Sequence, residues 1–155
     1  HQGERVDFVR QKADAGAEYF ITQMLFDPNV YEEFLNSLGK ANISSPVVPG
    51  TRVLKTQEQA QVMEQRFGAK VPKKLLNRLP KKDELGEKGS VQYEDARKKS
   101  VEIFFEIVEN LKSIGAPGIH LFVLSDTLAA SSLIESLQTK PPHTSHRSAD
   151  LSLSK

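Results

Sequence analysis

Cysteine is absent from this chain of 155 residues. That excludes disulfides, thiolate nucleophiles and cysteine-ligated metal centres. A surplus of one charge is also lacking. The chain has 21 Lys and Arg against 20 Asp and Glu, so no global field draws it to nucleic acid or to a membrane surface. No apolar run approaches the roughly 20 residues a spanning helix needs. His1-Gln2-Gly3-Glu4-Arg5 carries no initiator Met and no signal-type apolar stretch. The expectation is a cytoplasmic protein, without membrane or nucleic-acid partners, whose sequence starts inside something longer. The zinc pattern H-E-x-x-H, a Gly-rich phosphate loop and a Ser-His-Asp ordering are missing too. The length suffices for one modest domain with a real core.

What is present alternates between two periods. Val6, Val9 and Ala13 are spaced as on a helix, with Gly16 as its stop. Glu18 to Met24 is rich in aromatic and β-branched residues and reads as a strand. Asp27-Pro28 opens a helix, with Asp27 as cap, Pro28 in the first turn and Gly39 at the end. Tyr31, Phe34, Leu35 and Leu38 form its apolar stripe. Residues 46–49 form a second short strand, and its prolines suit only the ends of a ladder. Thr56-x-x-Gln59 matches a capping box at the head of a helix lined by Ala60, Met63 and Phe67. Pro72 starts a short helix bearing Leu75, Leu76 and Leu79, and residues 80–90 read as an exposed loop. The clearest helix spans 94–114, with Val101, Phe104, Phe105, Val108 and Leu111 on one face. Gly115 and Pro117 terminate it. Residues 118–124 form a third strand, apolar on both faces apart from His120, as suits a parallel strand covered on two sides. A last helix is expected over 127–137. Residues 141–155 are expected to be a disordered tail.

This order predicts an α/β fold with three parallel strands. Three strands leave two open edges, which invite pairing with further chain or with another copy. A homo-oligomer is compatible with those edges.

Four stretches carry a resemblance. Ala15-Gly16-Ala17 followed by Ile21-Thr22-Gln23 is similar to the AGA-(x)3-ITQ signature of methylenetetrahydrofolate reductases. Leu25-Phe26-Asp27, Val47-Val48-Pro49-Gly50 and Gly118-Ile119-His120-Leu121-Phe122-Val123-Leu124-Ser125 resemble that family's next motifs. Their order and spacing agree over residues 4–138. The resemblance implies a (β/α)8 barrel that binds FAD at the C-terminal ends of its strands. This chain would supply about the last three strands over residues 1–140. The missing N-terminal half of the barrel would be its partner. It would hold the acid that protonates the folate nitrogen, the aspartate near the flavin and most FAD contacts. The activity implied is reduction of 5,10-methylenetetrahydrofolate to 5-methyltetrahydrofolate in one-carbon and methionine metabolism. The cofactors implied are FAD and NADH or NADPH. The alternative is a non-catalytic half-barrel that serves only as an interaction or structural piece.

Site residues follow by matching. Gln23 ends its strand on the face of Tyr19 and Ile21. An amide there either bonds a pterin ring through its donor and acceptor or is satisfied by neighbouring backbone. The resemblance assigns it to folate or nicotinamide. Gln59 matches a folate-contacting glutamine, and equally can close its capping box. Phe122 and Leu124 match a substrate-stacking wall. Lys12 matches a lysine that meets FAD phosphates, and Ile21 lies on the flavin side. Arg5 stands where the family has an aspartate near that lysine, which weakens the FAD contact. Asp126 stands where it often has an arginine for the folate tail, so Arg52 or Lys55 would have to supply that cation. His120 reads as a buried, hydrogen-bonded residue rather than a catalyst. Lys70, Lys73, Lys74, Arg78, Lys81 and Lys82 form a basic cluster without interleaved aromatics. It reads as a solvated face rather than a nucleic-acid surface.

Overall fold

The computed structural model describes residues 2–123, together with Ser131 and Ile134. Residues 1–124 make one compact unit. Three strands, β1 (Phe20–Met24), β2 (Val47–Thr51) and β3 (His120–Leu121), form a sheet in the order β1-β2-β3. Both pairings are parallel, as the alternating order predicts. Helices α1 (Gln2–Asp14), α2 (Pro28–Lys40), α3 (Gln57–Phe67), α4 (Lys73–Leu76) and α5 (Val91–Ser113) precede or connect the strands, with a 3-10 turn at Lys82–Glu84. The expected helix 127–137 lies outside the described residues, apart from Ser131 and Ile134, which are helical.

Local chemistry sets the helix ends. The Asp27 carboxylate accepts from Asn29 N at 3.1 Å and Pro28 follows it. The Thr56 hydroxyl accepts from Gln59 N at 3.2 Å. The Ser90 hydroxyl accepts from Tyr93 N at 3.1 Å, so α5 starts at Val91, ahead of the expected start at 94. Helix α2 does not stop at Gly39 as expected. It runs to Lys40, and Asn42 takes the left-handed position at φ 55°. Asn tolerates that region, so Gly39 is not needed there.

The core lies where α2, α3 and α5 meet the sheet and its following loops. It includes Leu25, Phe26, Tyr31, Leu38, Val47, Ala60, Met63, Ile103, Ile107 and Leu111. Tyr31 is fully buried and its hydroxyl donates to Val47 O at 2.8 Å, which ties α2 to the middle strand. On the opposite sheet face Tyr19 is 57% and Ile21 47% exposed. His120 and Phe122 are half-buried.

The expectation about proline needs correction, because Pro49 sits inside the central strand. Backbone groups of alternate residues point to opposite sides of a strand. Gly50 O accepts from Leu25 N on the β1 side, and Thr51 O accepts from Phe122 N on the β3 side. Pro49 has the parity of Thr51, so its missing N–H faces β3. That strand begins only opposite Gly50, and no ladder bond is lost.

Candidate functional site

The C-terminal ends of the strands gather several of the expected residues around Gly50. The β1–β2 ladder is irregular between Ile21 and Met24. Thr22 repairs it: its Oγ1 accepts from Gly50 N at 2.9 Å and donates to Gln23 O at 2.7 Å. A Cβ on Gly50 would lie 2.5 Å from Phe122 Cε2 and 2.7 Å from Thr22 O. Gly50 thus lets the Phe122 ring lie against the middle strand. His120 meets that ring edge-on, with centroids 4.5 Å apart. This differs from the expectation for His120, which is half-buried and held by a ring contact.

Gln23 is exposed at the end of β1, and its Oε1 accepts from Met24 N at 3.0 Å. Gln59 is half-buried in the first turn of α3, and its Oε1 accepts from Lys55 N at 2.7 Å. The capping box is therefore displaced by one residue, because the return bond goes to the residue before the Thr56 cap. In both glutamines a backbone N–H occupies one of the two lone pairs of Oε1, which fixes the amide with Nε2 as its donor. Ile21 lies on the uncovered face of β1.

Lys12 is placed differently. It sits in the last turn of α1, on the side where the chain enters β1, and its Nζ lies 4.2 Å over the Phe8 ring. Gln23 and Phe122 lie where the chain leaves the strands. Leu124 and Asp126 are outside the described residues. Lys73 and Lys74 are exposed, and Arg78 forms an ion pair with Glu106, as a solvated face would. Among the described residues no group of three or more His, Asp or Glu could hold a metal ion. Among them, too, no helix is long and apolar enough to cross a membrane.

Composition alone gave no signal for one feature. Arg52, in the loop after β2, is only 6% exposed, and its Nε has no hydrogen-bond partner. Burial lowers the affinity of its guanidinium for the proton. The neighbouring Lys55 is held below the ordinary lysine value by burial and then by the charges of Arg52 and Lys88.

Three parallel strands alternating with helices define an α/β protein. A family model described as methylenetetrahydrofolate reductase matches residues 2–138, and the chain belongs to that family. It is 24% identical to methylenetetrahydrofolate reductase 1 of Schizosaccharomyces pombe over 86% of this chain and 21% of that protein. It is 24% identical to a probable methylenetetrahydrofolate reductase (NADPH) of Caenorhabditis elegans, over 84% of this chain and 19% of that one. With methylenetetrahydrofolate reductase (NADH) 1 of Arabidopsis thaliana the identity is 26%, over 84% and 21%. The chain spans about a fifth of the length of these curated relatives.

Proposed function

We propose that this chain is the second half of the barrel of a methylenetetrahydrofolate reductase and supplies the folate-facing wall of its site. The observation that supports this best is the shared state of Gln23 and Gln59. Each amide has its oxygen tied to a backbone N–H and its Nε2 left to donate. Two pre-oriented donors, one at the end of β1 and one in the first turn of α3, suit a flat ring that presents nitrogen and carbonyl acceptors, as a pterin does.

The uncovered face also suits FAD. Tyr19 and Ile21 present apolar surface there, of the kind a flavin ring covers. Phe122 fills the space over Gly50, so the ring would lie beside it. When bound, FAD would supply hydride transfer from NADH or NADPH to the folate. The residues of this chain bind and orient. Ile21 gives an apolar floor, Phe122 walls the substrate, and the two glutamines fix its plane. Leu124 is expected to extend that wall. Lys12 would reach FAD phosphates only from the α1 side.

The second reading, an interaction piece without catalysis, draws on the exposure of Tyr19 and Ile21. A change of one atom type separates the two. Gln23→Glu keeps an oxygen for Met24 N but removes the donor. In the full-length protein, folate affinity should fall about tenfold with the unfolding temperature unchanged, the loss expected when a donor to the ligand becomes an acceptor. Unaltered folate affinity in both Gln23→Glu and Gln59→Glu would leave the interaction reading standing.

A further inference from the structure

The loop leaving β2 holds a cation that forms no ion pair among the described residues. Arg52 is buried, its Nε is without a partner, and its Nη1 donates to the sulfur of Met63, at 3.7 Å. A guanidinium keeps its charge in essentially every protein setting and presents a fork of N–H donors. Buried charges are ordinarily paired, because desolvation without an acceptor is costly. None of the ion pairs among the described residues includes Arg52. The adjacent Thr51 Oγ1 is fully buried and also lacks a partner. Lys55, half-buried, stands on the same loop. Helix α3 begins just after it, and its first-turn N–H groups add positive potential.

We propose that Arg52, with Lys55 on the same loop, forms a subsite for a carboxylate or phosphate group of the ligand bound at the strand ends. The placement argues for a ligand anion. Phe122 N bonds Thr51 O, so Arg52 follows directly on the rung that carries the Phe122 wall. Gln59, one of the two donor amides, bonds Lys55 N and so shares the loop. A ring held by Gln23 and Gln59 would bring its charged appendage to this loop. The inference rests on the ligand site proposed above. Both ligands of that reading carry suitable anions: carboxylates on the folate tail, phosphates on the dinucleotide.

The test uses the full-length protein and Arg52→Met, whose apolar chain of similar length suits the neighbouring Met63, with Arg52→Lys as the conservative variant. Two pairs of probes are titrated: 5-methyltetrahydrofolate against the pteroate analogue without glutamate, and NADH against reduced nicotinamide riboside. Arg52→Met should weaken one anion-bearing ligand about tenfold or more and leave its anion-free analogue unchanged, as loss of a charge-assisted contact does. Arg52→Lys should keep part of the affinity. A loss confined to the folate pair identifies a carboxylate, and one confined to the nicotinamide pair a phosphate. Equal loss for a ligand and its analogue, or no loss in either pair, overturns the subsite. If Arg52→Met fails to fold, Lys55→Met repeats the comparison and must show the same selectivity. If the protein binds neither folate nor nicotinamide, the functional reading fails separately. Glutarate or pyrophosphate should even then raise the unfolding temperature of the wild type and not of Arg52→Lys or Lys55→Met to the same extent. Equal shifts in all three overturn the subsite.

Discussion

Replacing Gly50 by Ala should destabilise the protein through space alone. Gly50 is not at a positive φ, so backbone strain is not the reason. The added methyl would meet Phe122 Cε2 at 2.5 Å and Thr22 O at 2.7 Å. The phenyl ring can turn away, at the expense of its edge contact with His120. The carbonyl oxygen cannot, because its strand is held by Thr22 Oγ1 accepting from Gly50 N and by Leu25 N donating to Gly50 O. Overpacking against such neighbours costs about 1–3 kcal/mol. We expect Gly50→Ala in the upper half of that range, read as a shift of the denaturant midpoint at constant slope. In a Phe122→Ala background the penalty should fall by about 1 kcal/mol and not vanish, since Thr22 O remains. A Gly50→Ala protein within about 0.5 kcal/mol of the wild type would refute the packing argument. So would an equal penalty in both backgrounds.

Thr22→Val should leave the buried Gly50 N–H without an acceptor and cost about 1–3 kcal/mol, with faster amide exchange at Gly50, whereas Thr22→Ser should restore both. Tyr31→Phe should cost about 1–2 kcal/mol by freeing Val47 O. Burial raises the Tyr31 phenol above its ordinary value of 10.0, so its contribution is complete below pH 10.0 and is lost as pH climbs through the raised value. Titrated unfolding should show that alkaline loss in the wild type and not in Tyr31→Phe. Residues 1–155 alone should keep no FAD through gel filtration and should self-associate through the face of Tyr19 and Ile21. Stoichiometric flavin on a monodisperse monomer would contradict this.

The parallel sheet was legible because its strands are short apolar runs separated by helical periods, and because Asp27-Pro28 and Thr56 announce their helices. The ends were less legible. Ser90 sits in a polar stretch that masks its capping role, and Asn42 took the position expected of Gly39. Pro49 defied its usual meaning because β3 starts late, which depends on a register no single segment carries. Gln23 and Gln59 were singled out by position and resemblance. That each Oε1 accepts from a nearby backbone N–H was not visible, since each bond depends on local side-chain geometry. The unpaired burial of Arg52 was hidden because an arginine in a loop reads as solvated until the packing around it is known.

The central claim, that this chain forms the folate wall of a flavin-dependent reductase, is tested most directly by separating the two half-reactions in the full-length protein. The flavin absorbance is followed in rapid mixing, first with NADH or NADPH and then with 5,10-methylenetetrahydrofolate. Gln23→Glu should be bleached by the nicotinamide as the wild type is. Recovery of its absorbance on mixing with the folate should be at least about tenfold slower. Equal recovery in the two proteins, or a wild type whose flavin the folate never reoxidises, would contradict it.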